Sequence, residues 1–221
     1  MSDFASNATA KSDTNDVPHS MLHLLAAYKL NDKFLVQRAS IDDLAEILAI
    51  YNQSIAGKQA TANLTPVTSE EREAWFEEHL NSATRPIYVV RMVDIVGIVG
   101  IDSAKQKECS PIVAWGSFSD LYARPAYHIS SGISIYLHKD YHGQGLGSLL
   151  LCWMLNQAPS LEIHNLIALI FAHNQPSLGL FRKIGFEQWG YMPRVCDMDG
   201  FIADVVMLGK TVIPDDIVDS L

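Results

Sequence analysis

A strand, a glycine-rich turn and a helix follow one another in the middle of this chain, and this succession constrains the fold more than any other feature. The run 133–137 is predicted to be a buried strand, 142–147 (HGQGLG) a tight loop, and 149–155 an apolar helix that Pro159 ends. Unpaired backbone N–H groups and the helix dipole converge at such a junction, which makes it an anion site. The sequence therefore predicts that a phosphate-bearing ligand binds here.

The spacing of the glycines separates three kinds of phosphate-binding loop. A dinucleotide-binding G-x-G-x-x-G loop is disfavoured because, counted from Gly143, Ser148 stands at the third glycine. A Walker A loop is disfavoured because the nearest run, 209–211 (GKT), lacks the earlier glycine and a following helix. The segment 142–147 fits a third pattern, [Q/R]-x-x-G-x-[G/A] after a strand, with His142 in its first position. In that pattern, successive backbone amides hold the pyrophosphate of coenzyme A.

A second signature follows the next predicted strand. The run 174–177 (NQPS) places an Asn at a strand end, and 180–186 (LFRKIGF) is typical of a helix that closes on Gly-Phe. With both signatures, the chain resembles the GNAT acetyltransferase superfamily over roughly 35–210. Within it, the chain looks like the phosphinothricin acetyltransferase-like group, through 60–64 (ATANL), 124–127 (RPAY), 134–137 (SIYL) and Asp204 in the last strand.

The order of predicted elements is mixed α/β, and the resemblance implies an α/β (α+β mixed) fold with a GNAT-like central sheet. This sheet is expected to be mixed and largely antiparallel, flanked by helices, and splayed between the fourth and fifth strands, which end at Leu137 and Phe171. The strands 87–92 and 95–101 are predicted to pair as a hairpin, and 103–121 is predicted to be irregular. The other predicted elements are strands at 34–38, 129–137, 166–171, 186–191 and 201–208, and helices from Ile41 to near Gly57, from Thr68 to Leu80, from 149 to Pro159 and from Pro176 to Lys183.

The chain is expected to divide into three segments. Residues 1–33 are predicted to be a mobile extension, in which 18–30 can form a short helix. Residues 34–210 form the N-acetyltransferase domain, in which 105–113 looks like an insertion relative to the group. Residues 211–221 form an acidic tail.

The resemblance implies an acetyl-CoA-dependent N-acetyltransferase that moves an acetyl group, by direct transfer, to the amine of a small amino compound (an amino acid or analogue). Members of the group often pair as homodimers, so a homodimer is expected. Arg124 and Tyr127 are expected to face the acceptor, the arginine pairing with its carboxylate, while Asn63 and Leu64 form a lid. The residues expected to bind acetyl-CoA are Ile135, Tyr136, Leu137, His142, Gly143, Gln144, Gly145, Leu146, Gly147, Ser148, Asn174 and Ser177.

The sequence departs from the group's pattern where protons must move. Transfer needs a neutral amine, so a base must take its proton and another group must protonate the departing thiolate. Gly132 stands where the group usually has a glutamate base, and Phe181 stands where relatives have His or Tyr. Ser134 and His128 are the candidate catalytic residues, acting as a relay through water. An acceptor whose amine has a low pKa, or a non-catalytic protein that binds acyl-CoA, would fit the same departure.

The net charge of the chain indicates which classes of partner are expected. The chain has 16 Lys and Arg against 25 Asp and Glu, a formal net charge of −9. A basic protein or peptide acceptor, with an N-terminal or lysine amine, is therefore a further alternative. The same acidic balance, without a basic stripe, disfavours a nucleic-acid partner.

Other features bear on cofactors and location. No apolar run approaches the ~20 residues that span a bilayer, so no membrane partner is expected. The 3 cysteines are widely separated and the 8 histidines lack ligand spacing, so neither disulfides nor a metal is expected. The first residues lack the pattern of a targeting signal, and a cytoplasmic location is expected.

Overall fold

The structure, a computed structural model, describes residues 27–93 and 110–213. They form one eight-stranded sheet in the order β1-β2-β3-β4-β5-β6-β8-β7, flanked by helices. The strands are β1 Tyr28–Lys29, β2 Phe34–Arg38, β3 Ile87–Met92, β4 Ile112–Asp120, β5 Ser130–Leu137, β6 Asn165–Phe171, β7 Glu187–Asp197 and β8 Ile202–Thr211. The α-helices are α1 Leu44–Ile55, α2 Ser69–Asn81, α3 Leu146–Gln157 and α4 Gln175–Lys183.

The sheet is antiparallel except where β5 meets β6. These two strands run parallel and pair only at their first residues, from Ser130↔Asn165 to Gly132↔Ile167. Beyond Gly132 they diverge, while β5 stays paired to β4 up to Leu137. The expected mixed, largely antiparallel sheet with a splay is therefore confirmed. The fourth and fifth predicted strands are β5 and β6 here, because β1 precedes the first predicted strand and β4 replaces 95–101 in the count.

Strand alternation assigns each face of the sheet to one pair of helices. Tyr88 and Val90 of β3 belong to a core that includes α3 and α4, whereas Val89 between them belongs to a core that includes α1 and α2. Side chains on both faces are almost fully buried, and each large apolar one contributes roughly 1.5–3 kcal/mol to folding. A third, smaller cluster joins the end of β6 to the β7–β8 hairpin through Phe171, Met198, Ala203 and Val205.

The local signals for the helices are confirmed. The Thr68 Oγ1 accepts a hydrogen bond from the Glu71 amide at 3.4 Å, and the Thr68 amide donates to Glu71 Oε2 at 2.8 Å, which forms a capping box before α2. At the end of α4, Gly185 adopts a φ of 89°, the left-handed conformation that stops a helix.

The prediction that 103–121 is irregular is wrong for the second part of this segment, which forms β4. The strand runs from Ile112 to Asp120 and its first seven residues are buried. Gly116 and nearby serines obscured it in the sequence. A side chain at Gly116 would begin 2.5 Å from Met154 Sδ and 3.0 Å from the Ser134 carbonyl, so the glycine allows the close approach of α3.

The hairpin predicted between 87–92 and 95–101 is also wrong, because β2 and β4 occupy both edges of β3. The predicted strand 95–101 itself lies outside the described residues, as does most of the segment 105–113 that looked like an insertion.

The predicted terminal segments are described only in part. Most of the short helix allowed over 18–30 lies outside the described residues, and its last part, Tyr28–Lys29, forms β1 instead. At the other end, β8 continues to Thr211, and most of the predicted acidic tail lies outside. Among the described residues, no helix is long and apolar enough to cross a membrane.

Candidate functional site

A cleft of about 830 Å³ occupies the gap between the diverging strands β5 and β6. Residues 133–137 of β5 and 168–171 of β6 form its sides, and the glycine-rich loop before α3 lies at one end. The start of α4, the segment that follows α1 and the β7–β8 hairpin complete the lining. Clefts at the open carboxyl ends of parallel strands are common ligand sites in α/β proteins.

The glycine-rich loop has the conformation of an anion cradle. Gly143 and Gly145 adopt φ values of 70° and 81°, and a Cβ at either position would meet no atom within 4 Å. These glycines are therefore required for backbone conformation, and the space in front of them is open. Gly145 is the N-cap of the twelve-residue helix α3, whose first-turn N–H groups lack helical partners.

Most of the residues expected to bind acetyl-CoA line this cleft. The exceptions are Gln144, whose amide nitrogen donates to the Asp140 carbonyl at 2.6 Å, and Leu146, which is fully buried in the core. The His142 Nε2 lies 3.1 Å from the Leu137 carbonyl and donates to it. This hydrogen bond fixes the loop against the end of β5.

Asn174 is engaged at both ends of its amide. Its Oδ1 accepts from the Ser177 amide at 3.2 Å and caps α4, while its Nδ2 donates to the Gln59 carbonyl at 3.0 Å. Asn174 therefore joins the start of α4 to the segment that follows α1, and both Asn174 and Ser177 line the cleft.

Comparison with known proteins identifies the family. A family model described as an acetyltransferase (GNAT) domain matches residues 33–187. This chain belongs to the GNAT acetyltransferase family. The expectation that it is an N-acetyltransferase is thereby confirmed.

The relatives of this acetyltransferase have named activities. The provisionally named phosphinothricin acetyltransferase YwnH of Bacillus subtilis is 42% identical over 168 residues, which cover 76% of this chain and 93% of that protein. The L-methionine sulfoximine/L-methionine sulfone acetyltransferase of Pseudomonas aeruginosa is 30% identical over 173 residues, covering 78% and 91%.

A crystal structure of a related protein contains the co-substrate acetyl-CoA. The phosphinothricin acetyltransferase of Sinorhizobium meliloti, solved in complex with acetyl-CoA, is 25% identical with a TM-score of 0.67 and covers 80% of this chain and 86% of its own. The present acetyltransferase has features that fit this molecule: open left-handed glycines at a helix N-terminus for phosphates, and a strand edge on β5 beyond Gly132 that β6 leaves unpaired.

Gly132 and Phe181, where the sequence was expected to depart from the group's base and acid, carry no titratable side chain. A side chain at Gly132 would begin 2.7 Å from Ser119 Oγ, so the hydroxyl on β4 lies in the space that such a side chain would enter. Phe181 is buried, packs against Phe186 with ring centroids 4.9 Å apart, and presents an apolar surface to the cleft.

The two candidate relay residues lie in different places. Ser134 is half-buried in the cleft wall, and its hydroxyl makes no hydrogen bond with any residue that the structure describes. His128 is exposed outside the cleft, with its Nδ1 donating to the Pro125 carbonyl at 2.9 Å. The structure therefore brings Ser134 to the site and leaves His128 apart from it.

The residues expected to contact the acceptor do not line the cleft of the single chain. Arg124 and Tyr127 lie on an exposed turn, where the Tyr127 ring packs against Tyr122 at 5.0 Å. The Asn63 Oδ1 accepts from the Tyr51 hydroxyl and from Arg72, and Asn63 is not among the residues that line the cleft. Leu64 is exposed, and the structure places it outside the cleft as well.

Tyr136 is more important to the site than the sequence indicated. Its ring stacks on Trp115 with centroids 4.5 Å apart, and its hydroxyl donates to the Ala60 carbonyl at 3.5 Å. Burial raises the pKa of Tyr136 far above its ordinary value of 10.0, so the hydroxyl remains protonated. Among the described residues that line the cleft, the titratable ones are Tyr136, Lys139, His142 and Cys196, and none of them is a carboxylic acid.

An apolar wall opposite α3 and α4 was not predicted from the sequence. Leu169 of β6 alternates with Ala168 and Ile170, which face α3 and α4, and its side chain is 59% exposed in the middle of a strand. The other members of this wall are Phe171, Met192, Val195, Cys196 and Val205. No group of three or more metal-ligating side chains that could hold an ion lies among residues 27–93 and 110–213.

Proposed function

We propose that this protein transfers an acetyl group from acetyl-CoA directly to the amine of a small amino compound, an amino acid or an analogue of one. The observation that carries the proposal is the splay of β5 from β6 beyond Gly132, which opens a cleft continuous with the glycine-rich loop. The relatives named for phosphinothricin and for methionine sulfoximine and sulfone support an acceptor of this size.

Two elements of the chain would hold the co-substrate, which supplies an activated acetyl thioester. The backbone amides of 142–148 and the α3 N-terminus would bind its phosphates. The free edge of 135–137 would pair with its extended arm as an added strand does. An N–H group of that edge would stabilise negative charge on the acyl oxygen, an interaction that contributes about 3–4 kcal/mol in other acyl-transfer sites.

Ser134 would take part in moving the amine proton. Its hydroxyl lies in the cleft wall on the strand that would hold the thioester, and it is free to bind a water molecule or the amine. Holding the amine close to the acyl carbon would supply much of the rate, because proximity alone lowers the barrier greatly. The proposal includes acceptors whose amine has a low pKa, because such an amine loses its proton more readily.

The acceptor would bind on the side of the sheet that carries α1, which we call the acceptor side. The side chains of Ser134 and Tyr136 face this side, and Leu169 and Val195 form an apolar surface beyond them. An acceptor with an uncharged side chain fits this wall best.

The assembly and location are part of the same proposal. The exposed rings of Tyr122 and Tyr127 and the exposed Arg124 would contact a second copy of the chain in a homodimer. A mass near twice 24.5 kDa in sedimentation would support the pairing, and a mass near 24.5 kDa would contradict it. The protein would act in the cytoplasm on a soluble metabolite.

Thiol release tests the transfer. The protein is incubated with acetyl-CoA and each of a panel: phosphinothricin, L-methionine sulfone, L-methionine sulfoximine, common amino acids, simple amines and a basic peptide. We expect thiol release with at least one small amino compound and a product heavier by one acetyl group. Release only with the peptide would assign a protein or peptide acceptor.

Gly132 and Phe181 favour a second candidate, a protein that binds acyl-CoA without transferring it. Calorimetric binding of acetyl-CoA without thiol release from any amine would select that candidate. Absence of binding at millimolar acetyl-CoA would exclude both.

A further inference from the structure

The acceptor side of the cleft is covered by a short segment that follows α1, residues 58–62, which we call the roof segment. Residues 59–62 line the cleft, and the Ala60 carbonyl accepts from the Tyr136 hydroxyl on β5. The far end of the segment is fixed to α1, since Thr61 shares a hydrogen bond with the Tyr51 hydroxyl. The near end depends on other contacts.

Lys58 makes those contacts with the opposite wall. Its Nζ donates to the Met198 carbonyl at 2.8 Å and to the Asp199 carbonyl at 2.6 Å, both at the turn between β7 and β8. Hydrogen bonds from an ammonium group to carbonyls are stronger than those between neutral groups. One half-buried side chain therefore connects the roof segment to the hairpin across the cleft.

A second contact fixes the same residue from the β6 side. The His173 Nε2 donates to the Lys58 carbonyl at 2.8 Å. The His173 ring stacks on the Phe171 ring, with centroids 5.2 Å apart. Lys58 itself has a φ of 48°, so the backbone turns sharply here. Lys58 is thus the point where the segment after α1, the turn after β6 and the β7–β8 turn meet.

The contacts of Lys58 lie on the acceptor side and away from the phosphate loop. Met198 packs in the small cluster with Phe171 and Val205, two residues of the apolar wall. The glycine-rich loop belongs to the α3 end of the cleft. The Asn174 side chain holds its own hydrogen bond to the Gln59 carbonyl, and this bond does not involve the Lys58 ammonium group. Removing that ammonium group should therefore alter the acceptor site more than the acetyl-CoA site.

We propose that Lys58 is a positioning residue that holds the roof segment and the β7–β8 turn at a fixed separation, and thereby orients the acceptor amine towards the acyl group. This inference rests on the proposed function and assigns a role to a residue that contacts neither reacting group. Because small misplacements of an acceptor reduce rates strongly, loss of this connection should weaken acceptor use.

Steady-state kinetics with L-methionine sulfone as the acceptor test the proposal in three variants. Lys58→Met removes the donor and keeps the side-chain length. Lys58→Arg keeps a cation that can reach both carbonyls, and Lys183→Met removes an exposed lysine of α4 as the matched control. We expect Lys58→Met to raise the KM for the acceptor about tenfold, with the Kd for acetyl-CoA changed by less than about twofold. Lys58→Arg should restore most of the acceptor KM, and Lys183→Met should behave as wild type.

An unchanged acceptor KM in Lys58→Met would overturn the proposal, as would an equal loss of acetyl-CoA affinity, which indicates a general structural defect. Hydrogen–deuterium exchange provides a readout that does not need turnover. The hydrogen-bonded amides at the two ends of the roof segment, position 58 to the Ile55 carbonyl and Asn63 to Thr61 Oγ1, should exchange faster in Lys58→Met than in the other two variants. If the wild type transfers no acetyl group to any amine, the proposed function has failed, and the exchange result alone decides whether Lys58 holds the roof segment. Unchanged exchange would then reject its role.

Discussion

Ser119 Oγ on β4 lies 2.7 Å from the point where a side chain on Gly132 of β5 would begin. The two residues face each other in register, so the Ser119 hydroxyl lies in the space that a side chain at position 132 would enter. The space for a base is therefore present and filled by a neighbour.

Two substitutions made together should provide a base at position 132. In the double variant Gly132→Glu with Ser119→Ala, we expect kcat to rise about tenfold or more, because a positioned general base typically contributes 10²-fold or more. Ser119→Ala alone should leave kcat unchanged. A double variant that binds acetyl-CoA normally but reacts no faster would show that the amine proton does not leave through this position.

Ser134 should matter to the chemical step and little to binding. Ser134→Ala is expected to lower kcat about tenfold or more and to leave the Kd for acetyl-CoA within about twofold of wild type. Ser160→Ala is the matched control, since its hydroxyl donates to the Gln157 carbonyl on the surface after α3. Equal kcat in wild type and Ser134→Ala would remove Ser134 from the mechanism.

Gly145 should be decisive for co-substrate binding. Gly145→Glu places a carboxylate in front of the α3 N-terminus, where the phosphates of acetyl-CoA would lie, and should weaken binding at least about 100-fold. Because the φ of Gly145 is 81°, Gly145→Asn separates charge from conformation: asparagine tolerates the left-handed region and should retain most affinity. Calorimetry of both variants checks this, and equal affinity of Gly145→Glu and wild type would contradict the assignment of the loop.

The buried pair of Arg91 and Asp43 should dominate the stability of the β2–β3–α1 region. Both residues are at least nine-tenths buried, and Arg91 also donates to the Ser110 carbonyl. Arg91→Met leaves the Asp43 carboxylate buried without its cation and should lower the free energy of unfolding by about 3–5 kcal/mol in urea titrations. Replacing both residues with Met and Leu should cost less than the single change. A single variant as stable as wild type would show that the pair is not needed.

The carboxylate of Asp204 should make the stability of the fold depend on pH in the acidic range. The hydroxyl of Tyr191 and then the amide of Arg194 donate to its carboxylate, and together they lower the pKa of Asp204 below its ordinary value of 3.8. A lowered pKa stabilises the fold above pH 3.8, and this contribution is lost as the pH falls through the folded-state pKa. Asp204→Asn should therefore have a lower urea midpoint than wild type at pH 7, with the difference shrinking towards pH 2. A difference that is constant with pH would contradict the role of the charge.

Local patterns predicted the glycine-rich turn before α3 and the helices well, because their signals lie within a few neighbouring residues. The Thr68–Glu71 capping box and the glycines of 142–147 are such signals. By contrast, β4 was missed because Gly116 suggests a loop in the sequence, and only the approach of Met154 from α3 explains it.

The apolar surface on the acceptor side could not be predicted from the sequence for a related reason. Leu169 lies in an apolar run, 165–171, where nothing distinguishes it from the buried Ala168 and Ile170. Its exposure follows from the divergence of β5 and β6, which is a property of the whole sheet. Lys58 likewise acquires its contacts only because the β7–β8 turn folds back across the cleft.

A crystal structure of the protein with coenzyme A would show whether the splay between β5 and β6 is the acetyl-CoA site. We expect the pyrophosphate against the amides of 142–148, the extended arm hydrogen-bonded to the edge of 135–137, and the sulfur beside Ser134. Coenzyme A bound elsewhere on the surface, with the cleft empty, would contradict this expectation.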